Sequence, residues 1–115
     1  MKRFRMQEEY RNPDEMQWNN EPGVAGRFEK ILYRDAQSGT YCRLLKIPVS
    51  FKAKNAFNHK DFDEVVYILK GKLTNPNTKQ VYSAGQFAHF EKGKDHGPFE
   101  AAEDCLCIEF RHYHE

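Results

Sequence analysis

Apolar and polar residues alternate over most of the chain. Ile31 and Tyr33 begin this pattern, and a longer run extends over residues 41–49. Side chains two positions apart on a strand project to the same face, so each run predicts a half-buried β-strand. The segment 35–39, Asp-Ala-Gln-Ser-Gly, lies between the two runs and is typical of a hairpin connection.

The remaining sequence continues as short strands between glycine or asparagine turns. We predict strands at residues 64–69, 71–74, 80–82, 86–90 and 105–111, with a further segment near Phe99. Pro76 and Asn77 predict a turn, because proline lacks an amide hydrogen and asparagine tolerates unusual backbone angles. No segment keeps a helical period. The pattern therefore predicts an all-β sandwich or barrel.

Residues 1–23 do not share this pattern. They are rich in proline and asparagine and have few regularly spaced apolar residues, which predicts an irregular arm. Its candidate regular elements are a short helix near Glu8 and Glu9 and an edge strand around Met16 and Trp18. We place the domain boundary after this arm, with the barrel at residues 24–115.

The strand at residues 64–69 is apolar on both faces. Val66 and Ile68 share the face of Glu64, and the opposite face carries Val65, Tyr67 and Leu69. Such a strand is expected to be covered on both sides. Because a chain of this size cannot cover two apolar sheet faces by itself, we predict a homodimer.

With 115 residues, the chain is long enough for one domain with its own hydrophobic core. Its 18 basic and 17 acidic side chains nearly cancel, which argues against recruitment by nucleic acid or an anionic membrane surface. The basic residues at the start are not followed by an apolar signal region, and no apolar run is long enough to span a bilayer. We therefore expect a cytosolic protein.

The three cysteines are odd in number and come without an export signal, which favours reduced thiols over a disulfide framework. Cys105 and Cys107 are two apart on a predicted strand and so share a face. A lone Cys-x-Cys pair is weak evidence for zinc, whereas cysteine commonly fills cores. We interpret both residues as part of the core.

Candidate chemistry lies at His59, Glu64 and His96. Each stands on or beside a predicted strand, and alternate side chains of a β-barrel point inward from every strand, so the three can converge. Two imidazoles and one carboxylate are the facial ligand set typical of non-haem Fe(II), with open positions for further ligands. The sequence therefore predicts one divalent transition metal, which could be Fe, Zn, Mn, Ni or Cu.

The same residues resemble the two sequence motifs of the cupin superfamily, and the resemblance extends from about residue 27 onward. His59, Glu64 and Gly71 match the first motif, and the second is matched by Gly85, Gly93 and His96. The resemblance implies a single-domain cupin fold, a double-stranded β-helix or jelly-roll barrel. It also implies that the two histidines and the glutamate are metal ligands.

The chain departs from the cupin pattern at four positions. Phe51 replaces the leading glycine of the first motif, and Phe57 replaces its first metal histidine. In the second motif, Glu91 replaces the proline and Glu100 replaces the closing asparagine. Only three of the four usual ligands are therefore implied. The alternative interpretation is a barrel that kept its shape and lost its metal.

Three further residues are candidates for a substrate pocket. Phe57 lies two residues before His59 and so shares its strand face. Arg43 could bind a substrate carboxylate if it faces inward, or be an ordinary strand charge if it faces outward. His89 could replace the missing ligand if it faces inward; the alternative is a surface or interface histidine.

The order of segments is similar to small cupins related to acetylacetone-cleaving dioxygenases and to the zinc-binding cupin half of certain anti-sigma factors. This resemblance implies a metal-dependent oxidoreductase of dioxygenase type that acts on a small oxygen-rich molecule. A non-catalytic sensing module for a metal or ligand is the first alternative. The second is a metal-free cupin that binds or isomerises a sugar derivative, with a histidine and Glu64 as its acid and base. Which residues are catalytic stays unassigned.

Overall fold

The computed structural model describes residues 9–53 and 55–113. Its regular elements are almost all strands, as the alternating pattern predicted, and the one helical turn is a 3₁₀ turn at Pro13–Glu15. The strands are β1 (Asn19–Asn20), β2 (Phe28–Arg34), β3 (Tyr41–Ile47), β4 (Phe57–Asn58), β5 (Phe62–Thr74), β6 (Val81–Ser83), β7 (Phe87–Phe90), β8 (Asp95–His96) and β9 (Glu100–Tyr113).

All strand pairs are antiparallel, and they form two sheets. The larger sheet has the order β1-β2-β3-β9-β5-β6, with β7 paired to the first half of β5. The smaller sheet pairs β4 with β8. The long strands β5 and β9 run side by side through the centre of the larger sheet, so residues far apart in sequence share one inner face.

β5 is longer than the sequence indicated. The prediction of two strands, at residues 64–69 and 71–74, is wrong, because β5 continues through Gly71 as one strand. Its pairing with β9 shifts register around Lys70 and Lys72, which marks β-bulges. Gly71 has a φ of 88°, and a Cβ there would lie 2.2 Å from the carbonyl oxygen of Asp104. Glycine is therefore required for the bulge and does not end the strand.

The core lies between the inner faces of β3, β5 and β9. Its most buried members include Leu45, Ile47, Ile68, Cys105 and Cys107. Cys105 and Cys107 are buried, with Sγ atoms 3.8 Å apart, which confirms their interpretation as core residues. Along β5 the predicted alternation is also confirmed. Its inner residues are buried or half-buried, whereas Val65, Tyr67 and Leu69 are about 40% exposed on the outer face.

The N-terminal arm packs against the sheet. The predicted helix near Glu9 is not found at that residue, and Glu8 lies outside the described residues. The predicted edge strand is displaced to Asn19–Asn20, because Trp18 instead packs against the ammonium groups of Lys30 and Lys46, which are 4.5 and 4.7 Å from its ring. Within residues 9–53 and 55–113, no helix has the length and apolar character needed to cross a membrane.

Candidate metal centre

A cavity of about 560 Å³ opens between the inner faces of β3, β5, β7 and β9. Its volume falls within the range of about 300–1,000 Å³ that is usual for small-molecule sites. Polar and charged side chains border one part of it: Arg27, His59, Glu64, Asp95, His96, Glu109 and Arg111. The three candidate ligands thus lie on the wall of the same cavity.

The short sheet of β4 and β8 brings the two histidines together. In its register Phe57 pairs with His96, and His59 follows directly after β4. The amide of Gly93 donates to the carbonyl oxygen of His59 at 2.7 Å, which ties the two segments together. Glu64 reaches the same place from the start of β5, where it is paired with Arg111 on one side and Phe90 on the other.

One ligand atom from each of His59, Glu64 and His96 lies within 4.8 Å of the others. Aromatic rings hold both imidazoles in place. Phe62 stacks on His59 at a centroid distance of 4.4 Å, and Phe90 stacks on His96 at 4.1 Å. These stacks restrict rotation of the imidazoles, so the donor atoms are largely preorganised.

The donor set fits a divalent transition metal. Both ring nitrogens of His96 are buried, and neither has a hydrogen-bond partner among the residues that the structure describes. Burial lowers the pKa of both His59 and His96 to about 4. For His59, the positive charge of Arg111 is the next largest cause. Both imidazoles are therefore neutral near pH 7 and present free lone pairs, which is the form that binds metals. A buried, unpaired nitrogen costs free energy, and coordination would remove that cost.

Glu64 is held by an arginine. The Nε of Arg111 donates to Glu64 Oε2 at 2.6 Å, and Arg111 also donates to the hydroxyl of Tyr41 at 2.9 Å. Burial, followed by the negative charge of Glu109, raises the pKa of Glu64 to about 7. These two causes outweigh the lowering of the pKa by Arg111. A cation bound beside this carboxylate would favour its ionised form.

Glu64 belongs to a buried network of charged groups. Among the described residues this network holds four carboxylates and three guanidinium groups: Glu21, Glu29, Glu64, Glu109, Arg27, Arg43 and Arg111. The network therefore has one negative charge in excess when all its members are ionised. Low polarity around it makes that imbalance costly, and a bound cation would offset it.

The three predicted pocket residues lie in different environments in the structure. Phe57 borders the cavity, with its ring centroid 6.3 Å from that of His59 and 5.9 Å from that of His96. Arg43 faces inward with 1% of its surface exposed, so the interpretation as an outward strand charge is wrong. Its guanidinium is nevertheless paired with carboxylates and lies behind the cavity wall, so it does not present a free donor to a substrate carboxylate.

His89 does not replace the missing ligand. It is exposed on β7, opposite Val65 in the register, and so lies on the outer face of the sheet. The prediction of His89 as a pocket residue is therefore wrong. The physical reason is the period of the strand, because Ala88 and Phe90 occupy the inward positions on either side of it.

Most of the buried charges were missed by the sequence reasoning, although a signal was available. Cys105 and Cys107 were interpreted as core residues, and Glu109 and Arg111 continue the same alternation on β9. Their inward orientation follows from that period. Glu21 was assigned to the irregular arm, yet it is 5% exposed and accepts from Arg27 at 2.6 and 2.8 Å. Nothing local in the sequence indicates that contact.

No family model matches the sequence, and no curated protein matches it either. Solved structures do resemble it. The acetylacetone dioxygenase from Acinetobacter johnsonii is 13% identical with a TM-score of 0.69, over 100% of this chain and 83% of that one. An RmlC-like cupin protein from Ralstonia eutropha JMP134 is 18% identical with a TM-score of 0.69, over 90% and 70% of the two chains.

A third resemblance is to a chain in the complex of SigE with the anti-sigma ChrR from Rhodobacter sphaeroides. It is 21% identical with a TM-score of 0.67, and the match covers 89% of this chain and 52% of that one. Identities this low concern the fold and carry no activity with them. The all-β architecture, its antiparallel pairing and these structural neighbours together identify the chain as a protein with the cupin fold.

Proposed function

We propose that the chain is a metal-dependent oxidoreductase of dioxygenase type that acts on a small molecule able to chelate the metal through oxygen. The observation that supports this most directly is the convergence of His59, Glu64 and His96 at one end of the cavity, with both nitrogens of His96 unpaired. Two histidines and a carboxylate with open positions are the donor set of non-haem Fe(II) oxygenases. When bound, the metal would supply Lewis acidity and a place where oxygen and substrate can meet.

The chain's own residues would prepare this site. His59 and His96 donate as neutral imidazoles because burial keeps their pKa at about 4. Arg111 orients Glu64 through the 2.6 Å hydrogen bond and stabilises its ionised form. Phe57, Phe90 and Phe99 border the cavity around the histidines and surround their rings with apolar side chains.

Oxygen uptake tests this proposal. Protein loaded with Fe(II) should consume oxygen in the presence of at least one member of a panel of β-diketones and related enolisable compounds, and protein loaded with Zn(II) should not. If the metal-loaded protein binds compounds of the panel but consumes no oxygen with any of them, the non-catalytic sensing module is favoured instead. If it neither binds these compounds nor consumes oxygen, the metal-free barrel is favoured.

Phe57→His should supply a fourth ligand at the cavity wall, which would be the third imidazole of the set. The ring of Phe57 is directed to the same place as the two histidines, so an imidazole there can join their donor set. We expect metal affinity to rise by about tenfold or more, since even groups that only support a ligand change affinity by about that much. The measurement is a competition titration with a chromogenic chelator.

Tyr10→His is the control for this change. Tyr10 is 91% exposed, so an imidazole introduced there should leave metal affinity unaltered. Equal affinities of Phe57→His and the unmodified protein would show that position 57 does not reach the metal.

We also propose that the outer face of β5 is a homodimer interface. Val65 pairs with Phe110, and Tyr67 pairs with Phe87, so exposed apolar side chains of three strands form one surface. Monomeric proteins seldom expose a continuous apolar patch of this kind. Sedimentation should show a dimer at micromolar concentration, and Val65→Lys should shift it to monomer. Val81→Lys, at an exposed valine on β6, should leave it dimeric.

A further inference from the structure

The polarity of the cavity changes along its length. On β5 the inward residues run from Glu64 through Val66 to Ile68, and their partners on β9 are Arg111, Glu109 and Cys107 in the same order. Both strands therefore pass from charged to apolar side chains in the same direction. At about 3.3 Å per residue, the distance from Glu64 to Ile68 along β5 is about 13 Å.

The end of the cavity away from the histidines has apolar walls. They are formed by Ile47, Ile68, Leu73, Tyr82 and Cys107. The ring of Tyr82 lies 6.3 Å from that of Phe99, which in turn lies 6.0 Å from the imidazole of His96. An aromatic surface thus connects the apolar end to a candidate metal ligand.

These walls offer few groups that would hold ordered water. The Tyr82 hydroxyl already donates to Gln80 Oε1 at 2.8 Å, and the two buried cysteines are directed to each other. The polar side chains of Asn75 and Gln86 border the cavity outside the strands, after β5 and before β7. Apolar space without polar partners is poorly hydrated and takes apolar ligands readily.

We infer that the ligand of this cavity is amphipathic, with a chelating oxygen head at the histidines and an aryl or alkyl body in the apolar end. This inference rests on the proposed metal site for the position of the head. The evidence for the apolar body is independent of the metal, because it comes from the volume of the cavity and from the apolar side chains that line it. A chelating head alone would fill only a small part of about 560 Å³, and the remaining space is bordered by side chains that gain from contact with hydrocarbon.

A series of alkyl hydroxamates tests the inference, because the chelating head stays the same while the body grows. Protein carrying Zn(II) is titrated by calorimetry with each member from acetohydroxamate to octanohydroxamate, and the titrations are repeated on metal-free protein. For the metal-loaded protein we expect affinity to rise with each methylene, up to about fourfold, until the apolar end is full.

Two alanine-to-leucine substitutions locate the body of the ligand. Ala88 is half-buried on β7, faces Val66 and borders the cavity, so Ala88→Leu should narrow the passage to the apolar end. It should lower the affinity for octanohydroxamate by about tenfold or more and leave that for acetohydroxamate nearly unaltered. Ala102→Leu, at an exposed position of β9, is the matched control and should bind both compounds as the unmodified protein does.

The outcomes separate the two proposals. Affinity that does not depend on chain length, with binding that still requires metal, would overturn the amphipathic ligand and leave the metal site standing. Affinity that rises with chain length equally in metal-free protein would support the apolar end and contradict the metal site. A chain-length dependence that Ala88→Leu and Ala102→Leu leave equally intact would place the alkyl group elsewhere on the protein and overturn the inference.

Discussion

We expect the unmodified protein to bind about one divalent ion per chain, and His96→Ala should remove nearly all of it. The substitution deletes one of three converging donors, and the described residues offer no replacement within the 4.8 Å cluster. His59→Ala should have the same effect. Metal content is measured by elemental analysis after reconstitution with Fe(II), Zn(II), Mn(II), Ni(II) or Cu(II) and gel filtration. The β-rich circular dichroism should be unaltered.

The stability of the metal-free protein gives a second readout. A histidine with an ordinary structural role would lose hydrogen bonds when it is deleted, whereas His96 has none to lose at its ring nitrogens. Metal-free His96→Ala should therefore lose only the packing of the ring against its aromatic neighbours, of which Phe90 is the nearest.

His89→Ala is the matched control for the metal experiment, because His89 is exposed on the outer face of β7. It should retain metal at the level of the unmodified protein. Metal content near zero in the unmodified protein after all five reconstitutions would contradict the proposed centre, and so would equal loss from the His89 and His96 variants.

The sequence predicted the parts of this site that depend on local periodicity. The period of two at residues 64–69 correctly assigned Glu64 and Ile68 to the inner face, because inward and outward positions alternate strictly on a strand. The convergence of His59, Glu64 and His96 followed from motif spacing and from the geometry of barrels. Neither inference depends on which residues lie on the opposite side of the barrel.

The parts that the sequence did not predict depend on contacts between distant segments. Whether Arg43 is a pocket donor or a member of an ion network is decided by Glu21, Glu29 and Glu109, which come from three separate segments. Pairing of this kind leaves no periodic pattern. The continuation of β5 through Gly71 depends likewise on the close approach of the backbone at Asp104, which the strand's own residues do not encode.

Arg43→Met should be the most destabilising single substitution proposed for this chain. Arg43 is 1% exposed, and its guanidinium lies 2.7 Å from Glu29 Oε1, 2.7 Å from Glu109 Oε1 and 3.0 Å from Glu21 Oε2. Its removal leaves four buried carboxylates opposite two guanidinium groups. Breaking a buried ion pair from one side commonly costs about 3–5 kcal/mol of unfolding free energy. Urea denaturation measures the loss, which is a large fraction of a typical domain's stability.

The pH dependence of this loss identifies its cause. Burial alone would raise the pKa of Glu109. The positive charge of Arg43, followed by those of Arg111 and Arg27, outweighs burial and holds this pKa below its ordinary value. A carboxyl group with a lowered pKa contributes stability at neutral pH that is lost as the pH falls through that pKa. The unmodified protein loses this contribution in acid, whereas the variant lacks the part that Arg43 supplies at every pH. The difference between the two proteins should therefore shrink as the pH falls below about 4.5.

Two further variants separate charge from packing. Lys72→Met removes an exposed lysine that is 3.9 Å from Glu103, and it should cost no more than about 0.5 kcal/mol. Arg43→Met combined with Glu109→Gln should recover part of the stability lost by Arg43→Met alone, because one of the uncompensated carboxylates is gone. If the double variant is no more stable than Arg43→Met, or if the loss persists unaltered in acid, the cost lies in packing around the missing guanidinium. In that case the buried charge imbalance does not limit the stability of this barrel, and the excess negative charge would no longer support a cation at Glu64.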